Sequence, residues 1–494
     1  MAAASAAGDM ARQLRQALRL TRTAELRLDW LRSDSERRRF LAWLEGWLPS
    51  QKTSPKLIAT CRRREAGGRY AGSVAAERRL LEAAIQAGCR WYDLEIESIE
   101  AAGRFLPIAA GQGRAIVSIH RFGPPVPNPA GLLRRFPPDR EAIWKLAAQC
   151  RNLGDAMRLM QAARRASRGH RMILVPMGGA AQPVRILALR DASLLTYAAV
   201  NRQTAPGQPT LETVRREYRA DRIDRRTRVY GIIGNPVGHS ISPAMHNAAF
   251  AALGVNAIYL PFPVEDLDDF LEAIGALGIR GFSVTIPHKE TIFGRLHACD
   301  RLAKRLGAVN TVVVRRGRLY GYNTDYVGVL AALRGKLKLE GCRALLVGAG
   351  GGARAAGFAL ADSGAQVSIY ARRANRARQL ARAVGGKAMA KPELRRQEFD
   401  LIVNATPVGM APGHESPLGA GEINAPVIFD MVYRPLETPL LRQAARKGCK
   451  TISGIEMLVA QGAEQWKLWM GRPAPVRRMR QAALSALGRG EDGV

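Results

Sequence analysis

The chain has few cysteines, few acids for its bases, few aromatics and no long apolar run. Its six cysteines, at positions 61, 89, 150, 299, 342 and 449, lie far apart with no C-x-x-C pair. That excludes a disulfide framework and gives no zinc-ligand spacing, so no metal and a reducing cytoplasm are expected. Charged residues break every apolar stretch before the roughly 18 residues a membrane-spanning helix needs, so no membrane partner is expected. Against 75 Lys and Arg stand only 42 Asp and Glu, a net charge of +33. Such an excess favours anionic partners. The basic runs at 62–64, 215–216, 225–226 and 372–373 are scattered over unlike segments. A nucleic-acid footprint clusters, so small anionic metabolites are expected and nucleic acid is not. The Ala-rich start, 1–8, followed by Arg-bearing residues has the flavour of a transit peptide without a clear cleavage signal.

What is present is a chain of 494 residues with 47% hydrophobic and 24% charged residues, enough for two to four domains. Met10, Leu14 and Leu18 recur at helical spacing, and 24–29 then alternates like a strand. Further strands are expected at 56–60, 91–96, 115–120, 142–146, 172–176 and 194–198, with helical patterns between most of them. That order predicts an α/β barrel. It supplies seven strands where a closed barrel has eight, and a helix stands where a first strand is expected. Apolar periodicity lapses over 217–228, and a fresh strand and turn begin at Val229-Tyr230-Gly231-Ile232-Ile233-Gly234. The expected division is 1–217 for the barrel, 218–228 as linker, 229–333 and 334–459 for two α/β domains, and 460–494 as helices returning to the first of these.

In the second half, the strand 343–347 runs into Gly348-Ala349-Gly350-Gly351-Gly352-Ala353 and a helix. Backbone N–H groups and the positive end of a helix at such a turn hold a pyrophosphate. The next strand, 366–370, ends in Ala371-Arg372-Arg373 rather than in an acid for a ribose hydroxyl. Two guanidiniums suit a 2′-phosphate, so NADP(H) is the expected cofactor. Upstream lie Gly238-His239-Ser240-Ile241-Ser242-Pro243, Ser283-Val284-Thr285-Ile286-Pro287-His288-Lys289, Asn310-Thr311 and Asn323-Thr324-Asp325. In this order these motifs closely resemble the shikimate dehydrogenase family, from Val229 to the C-terminus. The resemblance implies that Ser240 and Ser242 hold a substrate carboxylate, and that Thr285, Asn310, Gln461 and Tyr433 contact the substrate. It makes Lys289 and Asp325 the reacting pair. Thr406 in Asn404-Ala405-Thr406-Pro407, Met431 in Asp430-Met431-Val432-Tyr433, and Gly454 fall in nicotinamide-side segments by the same resemblance. The chemistry is apt: hydride arriving at a ketone builds an alkoxide, which an ammonium stabilises and protonates. The family usually has Asn-Arg-Thr where Ala371-Arg372-Arg373 stands.

In the first half, Lys145 ends an apolar strand and His120 ends the strand before it, which in a barrel aims both at the catalytic rim. A desolvated lysine is a nucleophile toward ketones, and the imine it forms acidifies the neighbouring C–H for a histidine base. With Glu25-Leu26-Arg27-Leu28-Asp29, Thr60-Cys61-Arg62, Gly67-Gly68, Asp93-Leu94-Glu95, Ser118-Ile119-His120, Met177-Gly178, Arg185 and Ala205-Pro206-Gly207-Gln208, the segment from about Met10 to Glu217 resembles the type I 3-dehydroquinate dehydratases. That resemblance implies an imine on Lys145, His120 as acid and base, and Arg62, Arg185, Glu25, Arg27 and Gln208 around the substrate. Ala66 stands where the family commonly has Glu, with Glu65 beside it, and Arg121 follows His120 where Asp or Asn is usual.

Together the two resemblances imply a bifunctional shikimate-pathway enzyme. It would dehydrate 3-dehydroquinate to 3-dehydroshikimate and reduce that product with NADPH to shikimate. Rival readings are a shikimate or quinate dehydrogenase with an impaired barrel and, in another class, a basic nucleic-acid-binding protein. Oligomeric state is not legible.

Overall fold

The structure, a computed structural model, describes residues 1–103, 113–123, 126, 128–136, 141–200, 208–411, 413 and 415–488. The chain divides into two compact units, Met1–Thr227 with Asp268–Leu277, and Arg228–Leu267 with Gly278–Val494. Among the described residues no helix is long and apolar enough to cross a membrane.

The first unit is built on six parallel strands in chain order: β1 (Thr23–Arg27), β2 (Lys56–Thr60), β3 (Trp91–Glu95), β4 (Arg114–Arg121), β5 (Ile143–Gln149) and β6 (Arg171–Met177). Each is short and buried over nearly its whole length, as expected of a parallel sheet covered by crossover helices. The helices start where short polar side chains satisfy otherwise orphaned N–H groups. Ser33 accepts from Glu36 N, Ser73 from Ala76 N, and Asn152 from Asp155 N. Alternate residues of the strands, Ile58, Ile116, Ile143, Ile173 and Val175, pack with Tyr197 into one apolar cluster.

The expected seventh strand, 194–198, is extended chain and not a strand. Its ladder is interrupted because Leu174 N donates to the Ser193 hydroxyl at 3.0 Å, a side chain in place of a neighbouring carbonyl. Leu194 N still reaches the Met172 carbonyl at 2.8 Å. The position of a first strand is filled in miniature. Ala2 forms a parallel bridge with Leu26, donating to the Glu25 carbonyl at 2.8 Å and accepting from Arg27 N at 3.0 Å. The Met1 nitrogen donates to the Ala198 carbonyl at 3.0 Å. Isolated backbone hydrogen bonds thus link β6 to Leu194, Ala198 to Met1 and Ala2 to β1, across the gap between the first and last strands of the curled sheet. Ala2, Ala4 and Ala7 are buried, so the Ala-rich start is part of this packing.

The second unit holds two sheets. The first is mixed, in the order β10 (Ala298–Cys299), β12 (Arg318–Tyr322), β11 (Thr311–Arg315), β9 (Ile279–Val284), β7 (Arg228–Gly234) and β8 (Ala257–Pro263). The other is all parallel, in the order β15 (Lys387–Ala388), β14 (Gln366–Tyr370), β13 (Arg343–Val347), β16 (Leu401–Asn404), β17 (Val427–Asp430) and β18 (Lys450–Ser453). Counted from β13, that order is 3-2-1-4-5-6, the doubly wound dinucleotide arrangement, with its switch point between β13 and β16. The helix Gly454–Met470 packs on the helices Asp325–Leu333 and Val476–Gly488.

Two candidate active sites

In the barrel, polar side chains interrupt the apolar strands. Lys145 is third of seven in β5 rather than at the expected strand end, Asp93 and Glu25 are third in β3 and β1, His120 is next to last in β4, and parallel register brings them together. Ser118 lies opposite Lys145, and Glu95 opposite Ser118. The Lys145 amine contacts Asp93 Oδ2 at 2.6 Å and lies 3.9 Å from Glu25 Oε1. Asp93 takes a second bond from the Ser118 hydroxyl at 2.6 Å, and Glu25 one from the Thr60 hydroxyl at 2.8 Å. Burial would raise the Asp93 carboxyl, but the charges of Lys145 and Arg62 outweigh it and hold it below the usual range. Glu95 accepts from His120 Nδ1 at 3.0 Å and from Arg62 Nε at 2.8 Å. That bond fixes the imidazole and leaves Nε2 for a reactant. Burial, reinforced by the charges of Arg62 and Lys145, keeps His120 well below the ordinary histidine pKa, which favours the neutral ring.

Of the barrel's arginines, Arg27 is held in a two-point contact by Asp29, at 2.8 and 2.7 Å, and Arg62 by Glu95. Arg185 differs. Its side chain is 2% exposed, Nε donates to the Pro176 carbonyl at 3.2 Å, and among the described residues no carboxylate pairs with it. Burial pulls its pKa down to about 10. A desolvated guanidinium without a counter-ion is an anion site by its own chemistry. Gln208 is buried beside the bridge of Ala199 with Thr210, while 205–207 lie outside the described residues. Arg121 is taken up by Glu97 at 3.1 Å, and Glu65 is exposed and paired with Arg63.

In the second unit, the Lys289 amine meets Asp325 Oδ2 at 2.5 Å. Asp325 opens its helix, and its other oxygen accepts from Asn310 Nδ2 at 2.7 Å. Asn310 also reaches Gln461 Oε1 at 3.4 Å, so Lys289, Asp325, Asn310 and Gln461 form one connected group. Ser242 N donates to the Ser240 hydroxyl at 3.2 Å, and Tyr433 shares a hydrogen bond with Ser240. Thr285 is half-buried, its N–H donating to the Ile233 carbonyl, four residues before Lys289.

The glycine turn closes on this group. Gly348 has a φ of +119°, and a Cβ there would press on the Ala405 carbonyl and the Thr406 methyl at 3.1 Å. A Cβ on Gly351 would stand 3.4 Å from the Lys289 side chain, one on Gly352 3.3 Å from the Met431 methyl, and one on Gly454 would collide with the Met431 carbonyl. Gly350 caps the helix Gly351–Asp362, with Ala353 buried in its first turn and open space before Gly350. Unpaired N–H groups at such an end, with the exposed Arg372 and Arg373 after β14, fit the two phosphate positions of NADP(H). Among the described residues no three His, Cys, Asp or Glu side chains converge as metal ligands.

Several members escaped the sequence. Asp93 and Glu95 were visible only as part of a motif, although two carboxylates at i and i+2 in an apolar strand signal a functional face. Asn404 and Asp430 cross-link the loops that follow β16 and β17. Asp430 accepts from Asn404 Nδ2 at 2.8 Å, Val432 N at 3.0 Å and the Thr438 hydroxyl at 2.6 Å, while Asn404 Oδ1 accepts from the Thr406 hydroxyl at 2.7 Å. Burial pushes Asp430 up to about 6. Beneath Asn310, Tyr259 donates to Ser283 at 2.6 Å, Ser283 to Gln465 at 2.9 Å and Gln465 to Thr311 at 3.0 Å, a chain no spacing in the sequence reveals.

Known proteins match both units. Residues 3–225 match the family described as Type I 3-dehydroquinase. Residues 232–312 match the Shikimate dehydrogenase substrate binding domain, and 454–484 the Shikimate 5'-dehydrogenase C-terminal domain. The chain is 34% identical over 481 residues to the bifunctional 3-dehydroquinate dehydratase/shikimate dehydrogenase, chloroplastic, of Arabidopsis thaliana, covering 91% of this chain and 78% of that protein. It is 44% identical over 283 residues to the shikimate dehydrogenase (NADP(+)) of Methanopyrus kandleri, covering 54% of this chain and 98% of that one. A crystal structure of a shikimate dehydrogenase in complex with NADP+ is similar at 38% identity with a TM-score of 0.51, covering 53% of this chain and 96% of that one.

Proposed function

The chain belongs to the family of bifunctional 3-dehydroquinate dehydratases/shikimate dehydrogenases, carries both activities and uses NADP(H), and from that premise we propose that Lys145 and Lys289 are its two reacting amines. The observation that carries this reading is that each amine is hydrogen-bonded to a carboxylate, in groups of otherwise unlike composition. Lys145 lies on Asp93 beside a neutral His120, and Lys289 on Asp325 beside the glycine turn.

In the barrel, 3-dehydroquinate binds with its carboxylate on Arg185, the buried cation without a counter-ion, and its hydroxyls among Glu25, Arg27, Arg62 and Gln208. Lys145 passes its proton to an adjacent carboxylate and adds to the ketone carbon. The resulting imine acidifies the neighbouring C–H, His120 Nε2 takes that proton, and Glu95 stabilises the imidazolium that forms. The same proton then leaves with the departing hydroxyl, and water releases 3-dehydroshikimate from Lys145.

In the second unit, Ser240, Ser242 and Tyr433 hold the carboxylate of 3-dehydroshikimate, and Thr285, Asn310 and Gln461 its hydroxyls. Gly348, Gly350, Gly351, Gly352 and Ala353 would hold the pyrophosphate of NADPH, Arg372 and Arg373 its 2′-phosphate, and Thr406, Met431 and Gly454 the nicotinamide end, where the cofactor supplies a hydride. Lys289 donates its proton to the oxygen of the reduced carbon, and Asp325 orients the ammonium. On this reading 1–217 is the dehydratase, 218–228 the linker, 229–333 the substrate domain, 334–459 the cofactor domain, and 460–494 returns to the substrate domain. Four of the six free cysteines are buried, which supports a reducing compartment such as the cytoplasm.

Borohydride reduction in the presence of 3-dehydroquinate tests the first amine, with a mass-stable adduct expected on Lys145. Kinetics of Lys289→Ala on shikimate test the second. A wild-type chain that turns over 3-dehydroquinate without forming an adduct contradicts the imine.

A further inference from the structure

One aromatic side chain in the barrel carries a polar atom with no evident use. Tyr197 lies on the extended segment after β6, and its ring packs among Ile58, Ile173 and Val175. The Lys145 amine stands over that ring, 4.5 Å from its centroid. The side chain is 8% exposed, and among the described residues its hydroxyl is buried without a hydrogen-bond partner. An apolar cluster gains nothing from a phenol that phenylalanine would not supply, and an unpaired buried hydroxyl costs stability. Other buried polar atoms also lack partners, among them Trp144 Nε1, but the Trp144 ring is stacked between Phe136 and His170 rather than against a reacting amine.

We propose that Tyr197 is a further catalytic residue of the dehydratase, its hydroxyl donating a hydrogen bond to the substrate's ketone oxygen as Lys145 adds, while its ring face stabilises the cationic states of that nitrogen. As the C–N bond forms, the C=O π pair moves onto oxygen, and a proton released from nitrogen makes it a hydroxyl. That hydroxyl leaves as water with the second nitrogen proton when the imine closes. Tyr197 keeps its own proton throughout, consistent with burial and the nearby Glu25 and Asp93 charges, which hold its pKa well above the ordinary tyrosine value.

This inference rests on the reading of Lys145 as the imine lysine, and the test separates the two. Wild type, Tyr197→Phe and Tyr197→Leu are compared for dehydration kinetics and for the rate at which borohydride traps the Lys145 adduct, with circular dichroism and the thermal unfolding transition of each chain as the control for folding. Tyr197→Phe is expected to lower kcat and the trapping rate by about tenfold, the worth of one net hydrogen bond, with KM within about twofold. Tyr197→Leu is expected to lose more, because the ring face goes too. A Tyr197→Phe enzyme with wild-type kcat and trapping rate, or with a raised KM alone, overturns the proposal while leaving Lys145 intact. Absence of any adduct in the wild type overturns both.

Discussion

Asp93 and Glu95 stand two residues apart on one strand and divide the buried amine, imidazole and guanidinium between them. Asp93 holds the Lys145 amine at 2.6 Å, while Glu95 takes His120 Nδ1 at 3.0 Å and Arg62 at 2.8 Å. Because side chains alternate along a strand, this pair faces one side, and under the proposed mechanism its two members serve different steps. Glu95→Gln is expected to lower dehydration roughly 10- to 100-fold while Lys145 still forms a trappable adduct, because it removes the charge that supports the imidazolium. Asp93→Asn is expected to slow trapping itself. Steady-state dehydration beside adduct mass spectrometry checks both.

The two amines are separable. Lys289→Ala is expected to lower shikimate oxidation by about 10²- to 10⁴-fold and to leave dehydration intact, and Lys145→Ala to do the reverse. Loss of both activities in a folded single variant would refute the assignment.

On the proposed reading, cofactor choice rests on Arg372 and Arg373, both exposed after β14. Replacing both with Ser is expected to raise KM for NADPH roughly 10- to 100-fold, through loss of charge-assisted contacts to a phosphate, with little change for NADH. Parallel titrations with the two cofactors decide it.

Glu77 supplies a pH test of the barrel. It is fully buried, its Oε2 accepts from the Ser98 hydroxyl at 2.7 Å, and burial pushes it up to about 7. A carboxyl whose folded pKa lies above the unfolded one binds its proton more tightly in the native state. Its contribution is therefore present in full below the unfolded value and lost as pH rises through about 7. Neutral His120 acts in the opposite sense, so the informative quantity is a difference. Glu77→Gln, which keeps an acceptor for Ser98, is expected to gain stability over wild type between pH 5 and pH 8, by roughly the proton linkage removed. Thermal inactivation of the dehydratase at the two pH values measures it; an equal gap at both would refute the reading.

Where the sequence was legible, a strongly repeated physical cause lay behind it. Lys145 and His120 stood out because a buried polar residue in an apolar strand is costly without a partner, their roles being what the family resemblance implies, and the 348–353 turn because a positive φ at Gly348 leaves little choice of residue. Ala2 was unreadable as a strand position, since one residue shows no periodicity. The 194–198 segment has strand composition, but the Ser193 side chain takes a ladder bond and leaves it extended. Tyr197 reads as core because aromatic rings usually are core, and only the place of its hydroxyl and of Lys145 sets it apart. Asn404, Asp430 and Gln465 act through partners remote in sequence, which spacing does not encode.

The helix Gly454–Met470 carries Gly454 against the Met431 carbonyl, Gln461 against Asn310, and Gln465 beneath Thr311. On the proposed reading, the cofactor-side and substrate-side contacts are thus set along a single rod whose divisions are about 1.5 Å per residue. Inserting or deleting one residue between 454 and 461 would shift the two ends out of step by that distance and turn them by about a quarter of a revolution, so this stretch should tolerate substitution far better than any change of length.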